Sequence, residues 1–267
     1  MDWMKKQMIT LNVLKLWSLK DSGQIEALVG PYKLYDTSFR TLCGHGWLSD
    51  EILDAYLHLI VEKGKIPIYR MDAVIGSSLF HLGQHRVFQK MAFPEASIWL
   101  CPVNVGGHWI LVLVRMDHKE VIVIDPLGHE RTYQRRILRN WRNFLRAKDA
   151  RQGNWKVKTL PHGLQPDASS CGVLILRFAE SFLQVGDLQS VSTAPAQMFQ
   201  DRMDIATKLL QCKDKVEDYC VSCNMLHYDT CKDVIEMIQC DFCPRWTHKE
   251  CATHFVDLFK CKKCELQ

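Results

Sequence analysis

The stretch QPDASSCGVLILRF, Gln165 to Phe178, begins as a polar loop and ends as a nearly unbroken apolar run, with a Cys-Gly pair at the junction. The apolar run predicts a buried helix from about Cys171 to Gln184. A cysteine in the first turn of a helix lies among backbone N–H groups without intrahelical acceptors and at the positive end of the helix dipole, and both stabilise a thiolate. Cys171 is therefore either an inert core thiol or a reactive nucleophile.

Three apolar, β-rich runs precede this stretch and predict neighbouring strands: SIWLCPVNV (97–105), WILVLVRMD (109–117) and VIVIDPL (121–127). His108 opens the second run and Asp125 closes the third. If these two runs pair antiparallel across the turn-like DHKE, His108 and Asp125 come within contact distance. A thiol protease needs a base and an orienting acid beside its nucleophile, so the three residues are predicted to act together.

Helical periodicity and a further short strand complete a mixed α and β pattern. Ser49 is a candidate N-cap for the first of these helices, and the arginines of the second occupy one side. The predicted elements are a helix in LSDEILDAYLHLIVEK (48–63), a helix in RTYQRRILRNWRNFLRAK (131–148), a strand in WKVKTL (155–160) and a helix in PAQMFQDRMDIATKLLQ (195–211).

Composition favours an intracellular globular protein. The chain has 267 residues, 47% of them hydrophobic, and a formal net charge of +4. No run approaches the roughly 20 apolar residues of a membrane span, and the N-terminal segment lacks a small-residue cleavage site. We expect a nuclear or otherwise cytoplasmic location, no membrane partner and no secretion. The charge is too mild to indicate direct nucleic-acid binding.

Cysteines divide the chain into two parts. Eight of the 12 lie in the last 48 residues, and clustered intracellular cysteines at two-residue spacing are typical of metal ligands rather than disulfides. The predicted organisation is a protease domain at 1–212 with its core at about 34–210, a charged linker at 213–218 and a small metal-bound domain at 219–267.

The larger part resembles the sentrin or SUMO-specific proteases, which cleave ubiquitin-like modifiers from their targets. The similarity spans roughly 34–210 and rests on WLSDEILDAYLHLI, PVNVGGHW, VIVIDPLG and the Gln-x5-Cys-Gly of QPDASSCG. It implies an α+β, papain-like or adenain-like cysteine protease fold with a central mixed sheet flanked by helices. It also implies catalysis without a cofactor.

The resemblance assigns a role to each candidate. Cys171 is the nucleophile, His108 the general base and acid, Asp125 the orienting carboxylate and Gln165 the side chain of the oxyanion hole. Trp47 and Trp109 match tryptophans that clamp a terminal Gly-Gly, and Asp50 matches a carboxylate that contacts an arginine of the modifier. The sequence departs from the family pattern at two positions, with Ser170 before the nucleophile and Asp167 four places before it.

The C-terminal part carries eight paired metal ligands, enough for two tetrahedral Zn²⁺ ions that supply much of the folding free energy of so small a domain. Their order, four cysteines, one histidine and three cysteines, resembles a PHD finger. That family's cross-braced topology implies one ion held by Cys220, Cys223, His248 and Cys251 and a second held by Cys240, Cys243, Cys261 and Cys264. Cys231 is left over as a spare thiol or an alternative ligand.

PHD fingers that read methyl-lysine resemble this one further. Their aromatic-cage positions correspond here to Tyr219, Tyr228, Met237 and Trp246. Such a cage binds a quaternary ammonium by cation–π attraction, and its expected ligand is the methylated amino-terminal tail of histone H3. The alternative is that these side chains pack the core of the finger.

Each motif taken alone has an ordinary structural explanation, and three function classes stay open. The first is an active isopeptidase for a SUMO-like modifier recruited to chromatin by its finger. The second is a chromatin-reading module with little catalytic turnover, and the third is a mobile-element or viral-type protease that processes a polyprotein. The arginine-rich helix face is interpreted as solvated, and His45, His129 and His162 are expected on the surface.

Overall fold

The computed structural model describes residues 3–18, 20–62, 67–85, 92–150, 153–212, 216–226, 236–252 and 258–265. The helices are α1 (Trp3–Ser18), α2 (Asp36–Arg40), α3 (Asp50–Val61), α4 (Ala73–Gly76, continued by a π-helical turn, Ser77–His81), α5 (Glu130–Ala147), α6 (Cys171–Val185), α7 (Pro195–Leu210) and α8 (Lys262–Glu265). The strands are β1 (Ile25–Val29), β2 (Tyr32–Tyr35), β3 (Ile68–Arg70), β4 (Ile98–Asn104), β5 (Trp109–Arg115), β6 (Glu120–Ile124), β7 (Lys156–Lys158), β8 (Met237–Gln239) and β9 (Trp246–His248).

The chain forms two compact units. One is Gly44–Arg202, and the other joins Met1–Cys43 to Met203–Gln267. The domain prediction from the sequence instead places the first 43 residues in the protease domain, 1–212, and the functional domain limits stay a prediction.

A five-stranded mixed sheet organises the unit Gly44–Arg202. Its strand order is β3-β4-β5-β6-β7, with β4, β5 and β6 antiparallel and the two edge strands parallel to their neighbours. The three predicted central strands and the short strand at 155–160 are confirmed, and so is the α+β class.

Both faces of β5 are covered, which explains why this strand is apolar throughout. Ile110, Val112 and Val114 share a core cluster with Trp141 and Phe144 of α5. The alternating residues Leu111 and Leu113 are also fully buried, and α6 contacts β5. A strand covered by helices on both faces needs apolar side chains on both, because successive residues point to opposite faces.

The register of β5 and β6 sets the position of the predicted catalytic pair. Leu111 lies opposite Ile124 in this antiparallel ladder. Continued by one residue, this register sets Asp125 opposite Ile110, and His108, two residues from Ile110, is the diagonal neighbour of Asp125 on the same face.

Helix α6 begins at Cys171, with Ser170 in the N-cap position. The next residue is glycine for a steric reason, since a Cβ at Gly172 would lie 2.9 Å from Cβ of Leu48. Close contact with the segment before α3 thus fixes where the Cys171 helix starts.

The second unit contains elements that the sequence analysis did not predict. Helix α1 and the β1–β2 hairpin belong to it, and the hairpin turns at Gly30, where φ is +54°. Two basic residues of the cysteine-rich segment contact this hairpin: Arg245 Nη1 donates to the carbonyl of Ile25 at 3.1 Å, and Lys263 Nζ lies 2.6 Å from Glu26. Among the described residues, no helix has both the length and the apolar character needed to span a bilayer.

Candidate active site and metal centre

His108 and Asp125 meet where β5 begins and β6 ends. Nε2 of His108 lies 2.5 Å from Oδ1 of Asp125, and the carboxylate is fully buried. The same Oδ1 accepts a hydrogen bond from the backbone N–H of Leu127 at 2.8 Å. These contacts orient the imidazole and leave Nδ1 as the ring nitrogen available to another partner.

Cys171, in the first turn of α6, is close enough to act on this imidazole. Burial acts to lower the pKa of His108, but hydrogen bonds and charge attraction from Asp125 and Cys171 outweigh burial and raise the pKa to about 9. The imidazole therefore retains both protons at neutral pH and stabilises negative charge on the sulfur. This arrangement is suited to attack by a thiolate on a carbonyl carbon.

Gln165 lies in the loop before Cys171 and is held beside the Asp125 loop. Its backbone N–H donates to the carbonyl of Pro126 at 2.8 Å. Its side-chain Nε2 donates to the carbonyl of Asp167 at 2.5 Å, which uses one of its two amide protons. The other proton is chemically able to serve an oxyanion.

The two departures from the family pattern contact each other. Asp167 Oδ2 accepts a hydrogen bond from the Ser170 hydroxyl at 2.8 Å, and its Oδ1 accepts from the backbone N–H groups of Ser169 at 2.8 Å and Ser170 at 2.7 Å. Burial acts to raise the pKa of Asp167, but these hydrogen bonds and the charge of Arg202 lower it overall. An ionised Asp167 thus supports the loop immediately before Cys171.

Trp47 and Trp109 differ sharply in exposure. Trp109 is 8% exposed and donates its indole N–H to the carbonyl of Leu48 at 3.0 Å. Trp47 is 58% exposed, and its indole N–H donates to the carbonyl of Ala168 at 3.1 Å. The ring of Trp47 covers Gly107, where φ is +87° and a Cβ would lie 3.3 Å from the indole.

Asp50 is the first residue of α3, two positions after Leu48. Burial, and then the neighbouring Glu51 carboxylate, raise the pKa of Asp50. The side chain is half-buried rather than freely solvated, which strengthens any interaction it makes with a cationic partner.

Two buried polar groups near the site were missed by the sequence analysis. Arg202 is 2% exposed and donates to the carbonyls of Gly46 at 2.8 Å and Ser169 at 3.0 Å, so it joins the Trp47 segment to the Cys171 loop. The prediction that His162 is a surface residue is wrong, because its side chain is 4% exposed and pairs with Glu130 at 2.6 Å. Neither residue stands in a recognisable motif.

The predicted metal ligands fall into two groups, each with its four ligand atoms within 4.8 Å of one another. Representative separations are 3.9 Å between the sulfurs of Cys240 and Cys264, 3.6 Å between those of Cys243 and Cys261, and 3.4 Å from Cys223 Sγ to His248 Nδ1. Tetrahedral zinc with Zn–S bonds of about 2.3 Å requires sulfurs about 3.8 Å apart, so both groups fit that ion. The groups are Cys220, Cys223, His248 and Cys251, and Cys240, Cys243, Cys261 and Cys264.

The candidate cage positions are only partly described. Met237 and Trp246 share a face of the β8–β9 ribbon, because Trp246 pairs with Gln239, two residues from Met237. Trp246 is 36% exposed. The ring of Tyr219 has the Lys33 ammonium 4.6 Å from its centroid, and Tyr228 lies outside the described residues, as does Cys231.

The chain matches a known family of proteins. Residues 70–213, more than half of the chain, match the Ulp1 protease family, C-terminal catalytic domain. The chain is thus related to cysteine proteases, and it belongs to the Ulp1 protease family.

Two curated relatives and one solved structure illustrate the similarity. A sentrin-specific protease of Caenorhabditis elegans is 28% identical over 52% of this chain and 22% of its own length, and human sentrin-specific protease 2 is 24% identical over 61% and 30%. This chain therefore spans less than a third of either relative. The crystal structure of the C-terminal Ulp1 protease domain in complex with Smt3, the yeast ortholog of SUMO, has a TM-score of 0.66 and 15% identity, covering 77% of this chain and 95% of that one.

Proposed function

We propose that this chain is a cysteine isopeptidase that cleaves after the terminal Gly-Gly of a SUMO-like modifier. The observation that carries the proposal is the hydrogen bond between His108 and Asp125 together with Cys171, which acts on the same imidazole from the start of α6. Family membership and the resemblance of the surrounding motifs support the substrate class.

The proposed chemistry follows from the partners of each group. His108 already carries the proton of the Cys171 thiol, and Cys171 Sγ forms a bond to the carbonyl carbon of the terminal glycine as the C=O π electrons move to the oxygen. The oxyanion accepts hydrogen bonds from Gln165 Nε2 and from the backbone N–H of Cys171, which as a first-turn amide has no intrahelical acceptor. His108 then protonates the departing lysine amine as the C–N bond breaks. Water hydrolyses the remaining thioester and restores the thiol.

Burial of the nucleophile supports selection for glycine. Only 2% of Cys171 is exposed, so a substrate must reach the sulfur through a narrow approach. With Trp109 buried and Trp47 lying over Gly107, a peptide without side chains fits where a Cβ-bearing residue is excluded.

We expect the 267-residue chain to hydrolyse a SUMO-type reporter ending in Gly-Gly faster than matched NEDD-type and ubiquitin reporters. Replacing the last Gly by Ala should reduce kcat/KM by about 100-fold or more, since one misplaced contact at a reacting centre has effects of that size. Initial rates with fluorogenic reporters measure both comparisons.

Trp47→Ala should relax this selection against alanine, whereas Leu82→Ala, another exposed apolar side chain of the same unit, should leave it unchanged. A wild-type enzyme that cuts peptides irrespective of Gly-Gly would instead indicate a polyprotein-processing protease.

We further propose that the C-terminal segment is a PHD-type finger that binds two Zn²⁺ ions and directs the protease to methylated histone tails in the nucleus. Two complementary ligand groups support the zinc content, and His248 supports it further, since Nε2 contacts the carbonyl of Leu226 at 3.3 Å and leaves Nδ1 facing the cysteines. The shared face of Met237 and Trp246 supports the reader function.

The 267-residue chain should bind a trimethyl-lysine peptide of the histone H3 tail more tightly than the unmodified peptide. Trp246→Ala should remove this preference, because a cation–π contact contributes about 0.5 to 2 kcal/mol and desolvation of the methyl groups adds to it. Isothermal titration with both peptides is the measurement, and Phe242→Ala is the matched control because Phe242 is another exposed aromatic of the segment, 59% exposed.

Lys33→Ala tests whether Tyr219 contributes to the cage. If the Tyr219 face next to Lys33 forms one wall of the cage, removing that ammonium should tighten binding of the methylated peptide. Equal affinity of the zinc-loaded wild type for both peptides would mean that these aromatics only pack the segment.

A further inference from the structure

A second buried histidine–carboxylate pair, His162 and Glu130, lies close to the backbone of Asp125. Nε2 of His162 is 2.6 Å from Oε1 of Glu130, and the two side chains are 4% and 10% exposed. Nδ1 of His162 contacts the carbonyl of Gly163 at 2.8 Å. Both ring nitrogens of His162 therefore lie within hydrogen-bond distance of an oxygen acceptor.

This pair joins two loops that carry different parts of the site. Glu130 opens α5 directly after the loop that begins at Asp125, and His162 precedes the loop that carries Gln165. The same loops also meet at the hydrogen bond from Gln165 N–H to the carbonyl of Pro126 and at Gly128, where a Cβ would lie 3.1 Å from Leu164. Of these three contacts, the one between Glu130 and His162 joins two buried polar side chains.

Glu130 lies next to the backbone of Asp125, and His162 contacts the helix that begins with Cys171. Oε1 of Glu130 lies 3.4 Å from the backbone nitrogen of Asp125, within reach of its N–H. The ring of His162 packs against Phe178, with centroids 5.1 Å apart. Phe178 lies about two turns after Cys171 in α6. Oδ2 of Asp125 is buried without a hydrogen-bond partner in the described part of the chain, so the direction of this carboxylate depends on Oδ1 and on the backbone that Glu130 contacts.

We propose that Glu130 and His162 form a positioning pair that holds the Asp125 loop against the Gln165 loop and thereby fixes the hydrogen bond between Asp125 and His108. The effect on catalysis rests on the proposed function, whereas the effect on the His108 environment does not. Neither residue touches substrate, so both act through Asp125 and Gln165.

Several charged and titratable groups around His108 influence its pKa and therefore the pH dependence of activity. Asp125 follows β6 and Cys171 opens α6, and both raise the pKa of His108. Tyr133 of α5 also faces this region, since burial and then the Asp125 charge raise its pKa. Glu130 and His162 complete the set, and a loosened Asp125 contact should shift the alkaline limit of His108 protonation downward from about 9.

The variants Glu130→Ala and His162→Ala should each lower kcat on a Gly-Gly reporter by about 10- to 100-fold, with KM changed by less than about threefold, because substrate contacts stay in place. Glu130→Gln keeps an acceptor for His162 and should recover much of the lost kcat. Ile137→Val, a conservative truncation in the buried core, controls for lost stability and should leave kcat and the pH limb unchanged.

Alkylation of Cys171 by iodoacetamide, resolved by peptide mass spectrometry across pH 6 to 10, gives a readout that needs no substrate. Glu130→Ala should slow alkylation at neutral pH and move its pH dependence. If the shift occurs in a protein that cleaves no modifier, the proposed function fails and the positioning pair stands. Folded Glu130→Ala and His162→Ala proteins with wild-type alkylation profiles and wild-type kcat would overturn the inference.

Discussion

Cys171→Ala is expected to reduce hydrolysis of a Gly-Gly modifier reporter by about 10⁴-fold or more and to abolish covalent labelling by a vinyl-sulfone modifier probe. Removing a catalytic nucleophile has effects of this size because no other group can form the covalent intermediate. The measurements are initial rates and the mass of the probe-treated protein.

Two other cysteines of the chain are matched controls for this loss. Cys101 is fully buried in β4, and burial raises the pKa of its thiol well above the ordinary value, so it should be inert. Cys43 is exposed and far in sequence from the predicted catalytic residues. Cys43→Ala and Cys101→Ala proteins should label like the wild type, and persistent labelling of Cys171→Ala would disprove the assignment.

His108→Ala should approach the loss seen with Cys171→Ala, whereas Asp125→Asn should cost less. The amide of Asn retains an acceptor for the His108 N–H but removes the charge that helps to raise the pKa of His108. A ranking in which Asp125→Asn exceeds both other variants would place the reaction on different groups.

The sequence predicts the sheet and the catalytic neighbourhood because those signals are local. Apolar runs of strand length, a turn between two of them and a Cys-Gly at the start of an apolar helix each depend on few residues. Antiparallel pairing then brings His108 to the same end and face of the ladder as Asp125, two residues from direct register, so the proximity of distant residues follows from local patterns.

Helix α1 and the β1–β2 hairpin were harder to predict because their stability comes from tertiary contacts. Helix α1 mixes charged and apolar residues without a clear stripe, and its Trp17 is fixed by an indole hydrogen bond to the carbonyl of Phe39 at 2.9 Å. The β1–β2 strands are only 5 and 4 residues long. The hairpin is supported instead by residues far along the chain, such as Arg245 and Lys263.

Buried polar contacts were the least predictable part of the site. His162 stands between a proline and a glycine, which is typical of an exposed loop, yet its ring packs on Phe178 and pairs with Glu130. Arg202 belongs to a helix whose sequence gives no reason to bury a guanidinium. The burial of such groups depends on where the ends of long side chains meet in space, which periodicity does not encode.

Removing zinc is expected to unfold the cysteine-rich segment while leaving hydrolysis of a small Gly-Gly reporter largely intact. The described core of this segment consists mainly of candidate ligands: Val221 and Phe259 pack with Cys240, Cys243, Cys261 and Cys264. With so few other apolar side chains in the described part of this segment, we expect its folding to depend on the metal, since structural zinc sites contribute about 10 kcal/mol or more. All the proposed catalytic residues lie in the other unit, Gly44–Arg202, which accounts for the retained activity.

Metal content gives the sharpest form of this prediction. The wild type should bind two zinc ions per chain, and Cys220→Ser and Cys240→Ser, one from each ligand group, should each bind at most one. Cys212→Ser is the matched control, since Cys212 belongs to neither group and its sulfur contacts the carbonyl of Lys208 at 3.6 Å. Mass spectrometry under native conditions counts the ions, and amide hydrogen exchange at Thr247, a 1% exposed residue of β9, reports folding. Slow exchange at Thr247 in chelated, metal-free protein would show that packing against the β1–β2 hairpin, rather than zinc, stabilises this segment.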